Sequence, residues 1–287
     1  MDSIIKIKFW GVRGSTPCAN PENMRYGGNT SCIQITIPDV NEFLIADCGT
    51  GFRNLGNELE TNGSNLMGRV FITHPHWDHL QGFPFFKPFY DSNNRFEVYM
   101  PPQDGIGCKE ILQGHLSNTF FPVSIDMLES KLDCITFEKK AINFKDYSVD
   151  YMWANHTVPT AIYKFVIGGK IIVFAPDNEL PIEIDADNKS FVEEFRAFVK
   201  NADVLIHDAQ FTKEQHQGRL GWGHSDWETV LDYTKDLGIK RLCLTHHDPD
   251  HSDDVLDKIN SKIASIKASF YEEATVIQEG QEIYLPC

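Results

Sequence analysis

The most chemically loaded stretch of the chain is His74-Pro75-His76-Trp77-Asp78-His79, where three imidazoles and a carboxylate fall within six residues. Imidazole nitrogen and carboxylate oxygen together are donors that suit zinc and similar divalent ions. They follow Arg69–Thr73, a short apolar run that reads as a strand. A strand end fixes the first donor, and a turn into a helix swings the later ones round it, so the spacing converges them on one small volume. An exposed polar turn can carry a single histidine by coincidence. Four donors in this order behind an apolar strand point to a metal site.

The elements that must position such a site can be read on both sides of it. Ile4–Trp10 alternates and opens the chain as a strand. Ser31–Ile37 and Glu42–Asp47 are β-rich runs separated by the turn signal Pro38-Asp39. Asp47–Gly51 ends the second run, and Phe52–Glu60 has helical spacing. Residues 83–90, FPFFKPFY, are too proline-rich for a helix, and Phe96–Met100 returns to strand. Further strands are expected at Ser148–Trp153, Ile162–Ile167, Lys170–Ala175, Val204–His207 and Arg241–Thr245. Helices are expected at Lys189–Lys200, Asp226–Leu237 and Asp253–Lys267. No linker or low-complexity segment interrupts this texture, so residues 1–287 read as a single domain of α/β or α+β class.

HxHxDH resembles the signature of the metallo-β-lactamase superfamily. The resemblance implies an αββα sandwich, two mixed sheets flanked by helices, with a dinuclear metal site. It also implies a further His, then an Asp after a strand, then a His after a last strand. His156 in ANHTVPT, Asp177 in FAPDNE and His246 in LCLTHHD stand in that order, each behind an expected strand. By this resemblance His74, His76 and His156 hold one metal, Asp78, His79 and His246 hold the other, and Asp177 bridges them. His247 is the alternative to His246. Oxygen reductases of the superfamily look like HxExDH, whereas His76 points to a hydrolytic site with two divalent ions, zinc first and manganese second.

Two further segments, LIHDA at 205–209 and GHS at 223–225, look like the phosphodiesterase branch that includes tRNase Z. There a carboxylate pairs with a histidine, and Asp208 and His224 match those positions. A carboxylate-oriented imidazole is a suitable acid for a departing phosphodiester oxygen. The plainer alternative makes His224 a polar residue at a helix start, with Ser225 as the cap. His207 reads as structural. GVRGS at 11–15 and RYGGNTSC at 25–32 depart from tRNase Z, as does DCGTG at 47–51. The first two resemble metallo-hydrolases that cleave cyclic nucleotides, including the anti-Pycsar phosphodiesterases of phages and their bacterial relatives. The implied enzyme opens 3′,5′-cyclic mononucleotides to 5′-monophosphates with a bridging hydroxide that Asp78 helps to orient, countering cyclic-nucleotide defence signalling. The alternatives are a tRNase Z-like RNA 3′-processing endonuclease, a hydrolase of carboxylic esters or lactams, and a non-catalytic nucleotide-sequestering protein. Arg13 and Arg25 are candidate substrate contacts, or else members of ordinary ion pairs. Trp222, in the glycine-rich stretch 218–223, is a candidate stacking residue or else a cap on the core. Family members are often homodimers, and Phe83, Phe85, Phe86 and Phe89 suit either a core or a partner surface.

Charge sets the remaining limits. Lys and Arg total 26 against 41 Asp and Glu, a formal net charge of -15. A surface for long nucleic acid normally carries a basic excess, so the balance favours a small substrate. The middle segment Gln103–Leu132 is not basic either, unlike the arm by which tRNase Z grips tRNA. No run approaches the ~20 apolar residues of a membrane span, and the first residues lack a signal-peptide pattern. Seven cysteines without a CxxC pair read as reduced thiols. The expected place is the cytosol of a bacterium or a phage-infected host, with no membrane partner.

Overall fold

The computed structural model of the protein describes residues 4–61, 65–137, 141–266 and 270–287. The chain divides into two compact units: Met1–Val12, Asn29–Lys139 and Glu279–Cys287 form the first, and Arg13–Gly28 with Lys140–Gln278 form the second.

The first unit is built on a seven-stranded mixed sheet. Its strands are β1 (Ile4–Gly11), β2 (Cys32–Thr36), β3 (Phe43–Ala46), β4 (Met67–Phe71), β5 (Arg95–Met100), β6 (Lys131–Thr136) and the closing strand Glu282–Pro286. The closing strand pairs with the outer edge of β1, and the order then follows the chain from β1 to β6. Pairing is antiparallel as far as β3 and parallel from β3 to β6. In β1 the alternation works as expected: Ile5, Ile7 and Phe9 are fully buried, while Lys6 and Lys8 pair outward with Glu282 and Glu58. Helix α1 (Gly51–Glu60) turns Phe52, Leu55, Gly56 and Leu59 inward, one stripe of an amphipathic helix. The proline-rich run forms two short 3-10 turns, Phe83–Phe85 and Lys87–Tyr90, each with its proline in the first turn where no N–H is needed. Phe83, Phe86 and Phe89 are fully buried, and Phe86 stacks on Phe52 with ring centroids 3.9 Å apart; Phe85 stays exposed. The single-turn helix α2 (Trp77–Leu80) and helix α3 (Cys108–His115) complete the unit.

The second unit carries another seven-stranded mixed sheet, made of β7 (Ala141–Asn143), β8 (Tyr147–Trp153), β9 (Ala161–Ile167), β10 (Lys170–Ala175), β11 (Val204–Asp208), β12 (Arg241–Thr245) and β13 (Glu273–Val276). Its order follows the chain, antiparallel from β7 to β10 and parallel from β10 to β13. Helices α4 (Lys189–Val199), α5 (Lys213–Gln217), α6 (Trp227–Thr234) and α7 (Asp253–Ile266) belong to it. Val192, Phe195 and Val199 of α4 and Leu256, Ile259 and Ile263 of α7 share one apolar core with the sheet. Helix α6 is shorter than its apolar periodicity suggests. Its N-cap is Asp226, whose carboxylate accepts from the Thr229 N–H at 2.7 Å; Ser225 does not cap it. The Ser225 hydroxyl instead donates to the Asn178 carbonyl and accepts from the Leu180 N–H.

Candidate active site

In parallel sheets, polar residues that follow the carboxyl ends of strands stand where ligands bind. Both units use this position. In the first, Asp47 follows β3 and His74 follows β4, two neighbouring parallel strands. His74 and His79 are fully buried and Asp78 nearly so, with the His74 ring 4.4 Å from that of His76 and 4.3 Å from that of His79. The Asp47 carboxylate holds this group in place. It lies 2.7 Å from His79 Nδ1 and accepts from the Thr73 N–H at 2.8 Å and the Ser31 hydroxyl at 3.2 Å. A carboxylate only accepts, so Nδ1 of His79 carries the hydrogen and Nε2 is the basic nitrogen, 3.2 Å from Asp78 Oδ2. Asp47 takes this role from a left-handed backbone, φ +61°. Sequence reasoning did not single it out; an acid ending a strand just before Cys-Gly was its one local signal.

In the second unit Asp177 follows β10, Asp208 ends β11 and His246 follows β12, three adjacent parallel strands. His156, beyond β8, brings its Nε2 to 3.7 Å from Asp177 Oδ2, while His246 Nδ1 lies 3.4 Å from Asp177 Oδ1. His224 Nδ1 sits 2.8 Å from Oδ2 of the fully buried Asp208. The second Asp208 oxygen accepts from the Gln210 N–H at 2.9 Å, which fixes the carboxylate before it meets the imidazole. Ligand atoms of His156, Asp177 and His224 all lie within 4.8 Å of one another. Beside them opens a cleft of about 550 Å³, bounded by Ser15, Gln210, Phe211, Arg219, Trp222 and His224 among others. Trp222 is 60% exposed at this cleft, and the Arg219 guanidinium lies over both Phe211 and Trp222.

A family model of the β-lactamase superfamily domain matches residues 43–247, well over half of the chain. The chain belongs to the metallo-β-lactamase superfamily. It is similar to ribonuclease Z of Streptococcus suis, at 24% identity over 98% of this chain and 100% of that protein. Among solved structures, the metallo-β-lactamase fold protein YhfI of Bacillus subtilis matches 99% of this chain and 100% of its own, with TM-score 0.71 at 18% identity. Unliganded yeast PDE1 matches with TM-score 0.69 at 15% identity, again over 99% of this chain and 100% of that one. These likenesses show the fold, the superfamily's sandwich of two mixed sheets flanked by helices.

For a superfamily member the donor chemistry fits divalent ions: buried imidazoles and carboxylates, with His79 held in one tautomer by Asp47 and His156 Nδ1 placed 3.0 Å from the Gly223 carbonyl. His246 and His247 have separate surroundings. His247 is fully enclosed, with Nε2 2.8 Å from the Ile277 carbonyl, and burial pushes its pKa down to about 3. His207 is likewise buried and kept neutral, hydrogen-bonded to the Asp208 carbonyl and the Asn178 amide. For Arg13 and Arg25 the structure shows partners within the protein. Arg13 is fully buried and donates to the carbonyls of Gly27, Asp248, His251 and Asn23, so its guanidinium is consumed in joining these loops. Arg25 is tied down by α7: it pairs with Asp257 at 2.7 Å and Asp254 at 3.4 Å. Among the described residues, no helix is long and apolar enough to cross a membrane.

Proposed function

We propose that the protein is a metal-dependent phosphodiesterase that opens 3′,5′-cyclic mononucleotides to 5′-monophosphates. The observation that carries this is the buried Asp208 carboxylate 2.8 Å from His224, at a cleft of nucleotide size and beside Asp177 and His156. The similarity to ribonuclease Z and the fold shared with PDE1 agree with phosphodiester chemistry. The ligands proposed are His74, His76, Asp78, His79, His156, Asp177 and His246, carried by the order of the motifs and by family membership. Two divalent ions, zinc or manganese, would supply there an acidified water and positive charge against the phosphoryl oxygens.

The chain's own residues do the rest. Asp208 receives the Nδ1–H of His224 and stabilises its imidazolium form, so that the Nε2 proton can pass to the departing ribose 3′-oxygen. Asp78, besides ligating, would help to orient the attacking water. Trp222 offers an exposed ring on which a base can stack, and the neighbouring glycines give its segment freedom to close. A cytosolic homodimer goes with this function. The uncharged apolar surface around Trp77, Phe85 and Phe120 is where a second copy would bury area. Sedimentation at micromolar concentration tests that point, a monomer refuting it.

RNA 3′ processing is the second reading, favoured by the full-length similarity to ribonuclease Z. The net charge of -15 counts against a long polyanion. Hydrolysis of 3′,5′-cyclic mononucleotides, cyclic dinucleotides and pre-tRNA side by side, with and without chelator, separates the two. Substrate that co-elutes unchanged with metal-replete protein would indicate sequestration instead. Loss of phage resistance on expression in bacteria that carry a cyclic-nucleotide defence, with resistance retained for His224→Ala, tests the anti-defence role.

A further inference from the structure

Behind the His156–Asp177–His224 group lies a second buried set of charges that the chemistry above does not use. His216, at the end of α5, is fully buried between two carboxylates: its Nδ1 is 2.7 Å from Asp226 Oδ2 and its Nε2 is 3.6 Å from Glu179 Oε1. Burial disfavours the charged ring, but the two carboxylates outweigh it and push the pKa up to about 9. Asp226 is anchored in turn as the cap of α6, accepting from the N–H and hydroxyl of Thr229.

Glu179 faces the other way. Its carboxylate accepts from the Gly221 N–H at 2.9 Å and the Gly223 N–H at 2.7 Å, gripping the backbone on both sides of Trp222. The Gly223 carbonyl accepts from His156 Nδ1 at 3.0 Å, and the next residue is His224. Glu179 also holds the residue before His156, its N–H donating to the Asn155 carbonyl at 2.9 Å and its carbonyl accepting from the Asn155 side-chain amide at 2.9 Å. Gly223 has no room to move aside. Its φ is +86°, and a Cβ there would lie 2.1 Å from His156 Nδ1, so ring and turn are in direct contact.

We propose that Glu179 is a positioning residue: by clamping the backbone of Gly221 and Gly223 it sets the rings of His156 and His224 together. His216, with Asp226 behind it, backs the same carboxylate from the other side, its Nε2 3.6 Å from Glu179 Oε1 and its Nδ1 2.7 Å from Asp226 Oδ2. This rests on the roles given above to His156 and His224, and it adds the device that couples them. A metal-ligating imidazole whose other nitrogen is held by a carbonyl depends on that carbonyl's placement, and loss of such support typically costs 10–100-fold in metal affinity.

The test uses Glu179→Gln, nearly the same shape without the charge, and Glu179→Asp, which keeps the charge but withdraws it. In metal-free protein with ¹⁵N-labelled histidine, the His156 Nδ1–H resonance should be sharp in the native chain and broadened or shifted in Glu179→Gln. Zinc affinity, measured by competition with a chromogenic chelator, should fall by about 10–100-fold in Glu179→Gln, with Glu179→Asp intermediate. Should Glu179→Gln fail to show a cooperative thermal transition, Glu179→Asp alone decides through the same resonance. A folded variant with the native resonance and zinc affinity within twofold of the native chain overturns the proposal. If the native chain itself takes up no zinc, the metal assignment fails, while the resonance still decides what Glu179 does.

Discussion

Raising the pH should unload the clamp around His216, and the size of the effect follows from its surroundings. An ordinary imidazole titrates near 6.5, whereas this one, buried but flanked by Asp226 and Glu179, holds its proton up to about 9. At roughly 1.4 kcal/mol for each pH unit between those values, the charged ring contributes about 3 kcal/mol to stability. The folded value is the raised one, so that contribution is complete below about pH 6.5 and disappears as pH climbs through 9. For a chain of this length, with an unfolding entropy of about 0.6 kcal/mol/K, this amounts to roughly 5 °C in melting midpoint. The assay compares the native chain with His216→Gln by scanning calorimetry from pH 6 to pH 9.5, in excess chelator so that metal uptake does not contribute. The native chain should melt higher at pH 6, and the gap should close by about 5 °C towards pH 9.5. A gap independent of pH would refute the charged state assigned to His216.

Other consequences can be checked separately. His224→Ala should lower kcat on cyclic nucleotides by about 10²–10⁴-fold with metal content unchanged by elemental analysis, and by much less on p-nitrophenyl phosphodiesters, whose leaving group needs no proton; equal losses on both would sink the acid role. Gly14→Ala puts a methyl 2.4 Å from the His246 ring, so zinc affinity should drop at least about tenfold, and native affinity would refute His246 as a ligand. Arg13→Met leaves several buried carbonyls without their donor and should lower stability by about 3 kcal/mol or more in urea titration; a stable variant with only a raised KM would restore Arg13 as a substrate contact. Metal-replete protein should carry near two ions per chain and melt several degrees above the chelated form, and a stoichiometry of one would overturn the dinuclear assignment.

How much could be read in advance depended on distance along the chain. His74, His76, Asp78 and His79 were legible as a candidate group because they fall within six residues behind an apolar strand. His156, Asp177 and His246 needed the family pattern, since each alone is an ordinary loop residue. Asp47 acts on His79 across 32 residues, and Glu179 on Gly221 across 42, so neither advertises its partner locally. Arg13 stood open between a substrate contact and an ordinary ion pair, and only the tertiary structure shows it enclosed by carbonyls. At the start of α6, Ser225 and Asp226 are both able caps; the serine lost because its hydroxyl is drawn to the Asn178 carbonyl. The strands that were missed, β6, β7, β13 and the closing strand, are short or show weak apolar alternation. In the proline-rich run the prolines did exclude a long helix, and burial of the phenylalanines shaped what formed instead.

The most direct test of the proposed activity is incubation of metal-replete protein with 3′,5′-cyclic mononucleotides, cyclic dinucleotides and pre-tRNA, with products resolved by chromatography. The expected result is conversion of a cyclic mononucleotide to its 5′-monophosphate, abolished by chelator and restored by zinc or manganese, with pre-tRNA left intact. Cyclic mononucleotides recovered unchanged, or trailer cleavage of pre-tRNA in their place, would contradict it.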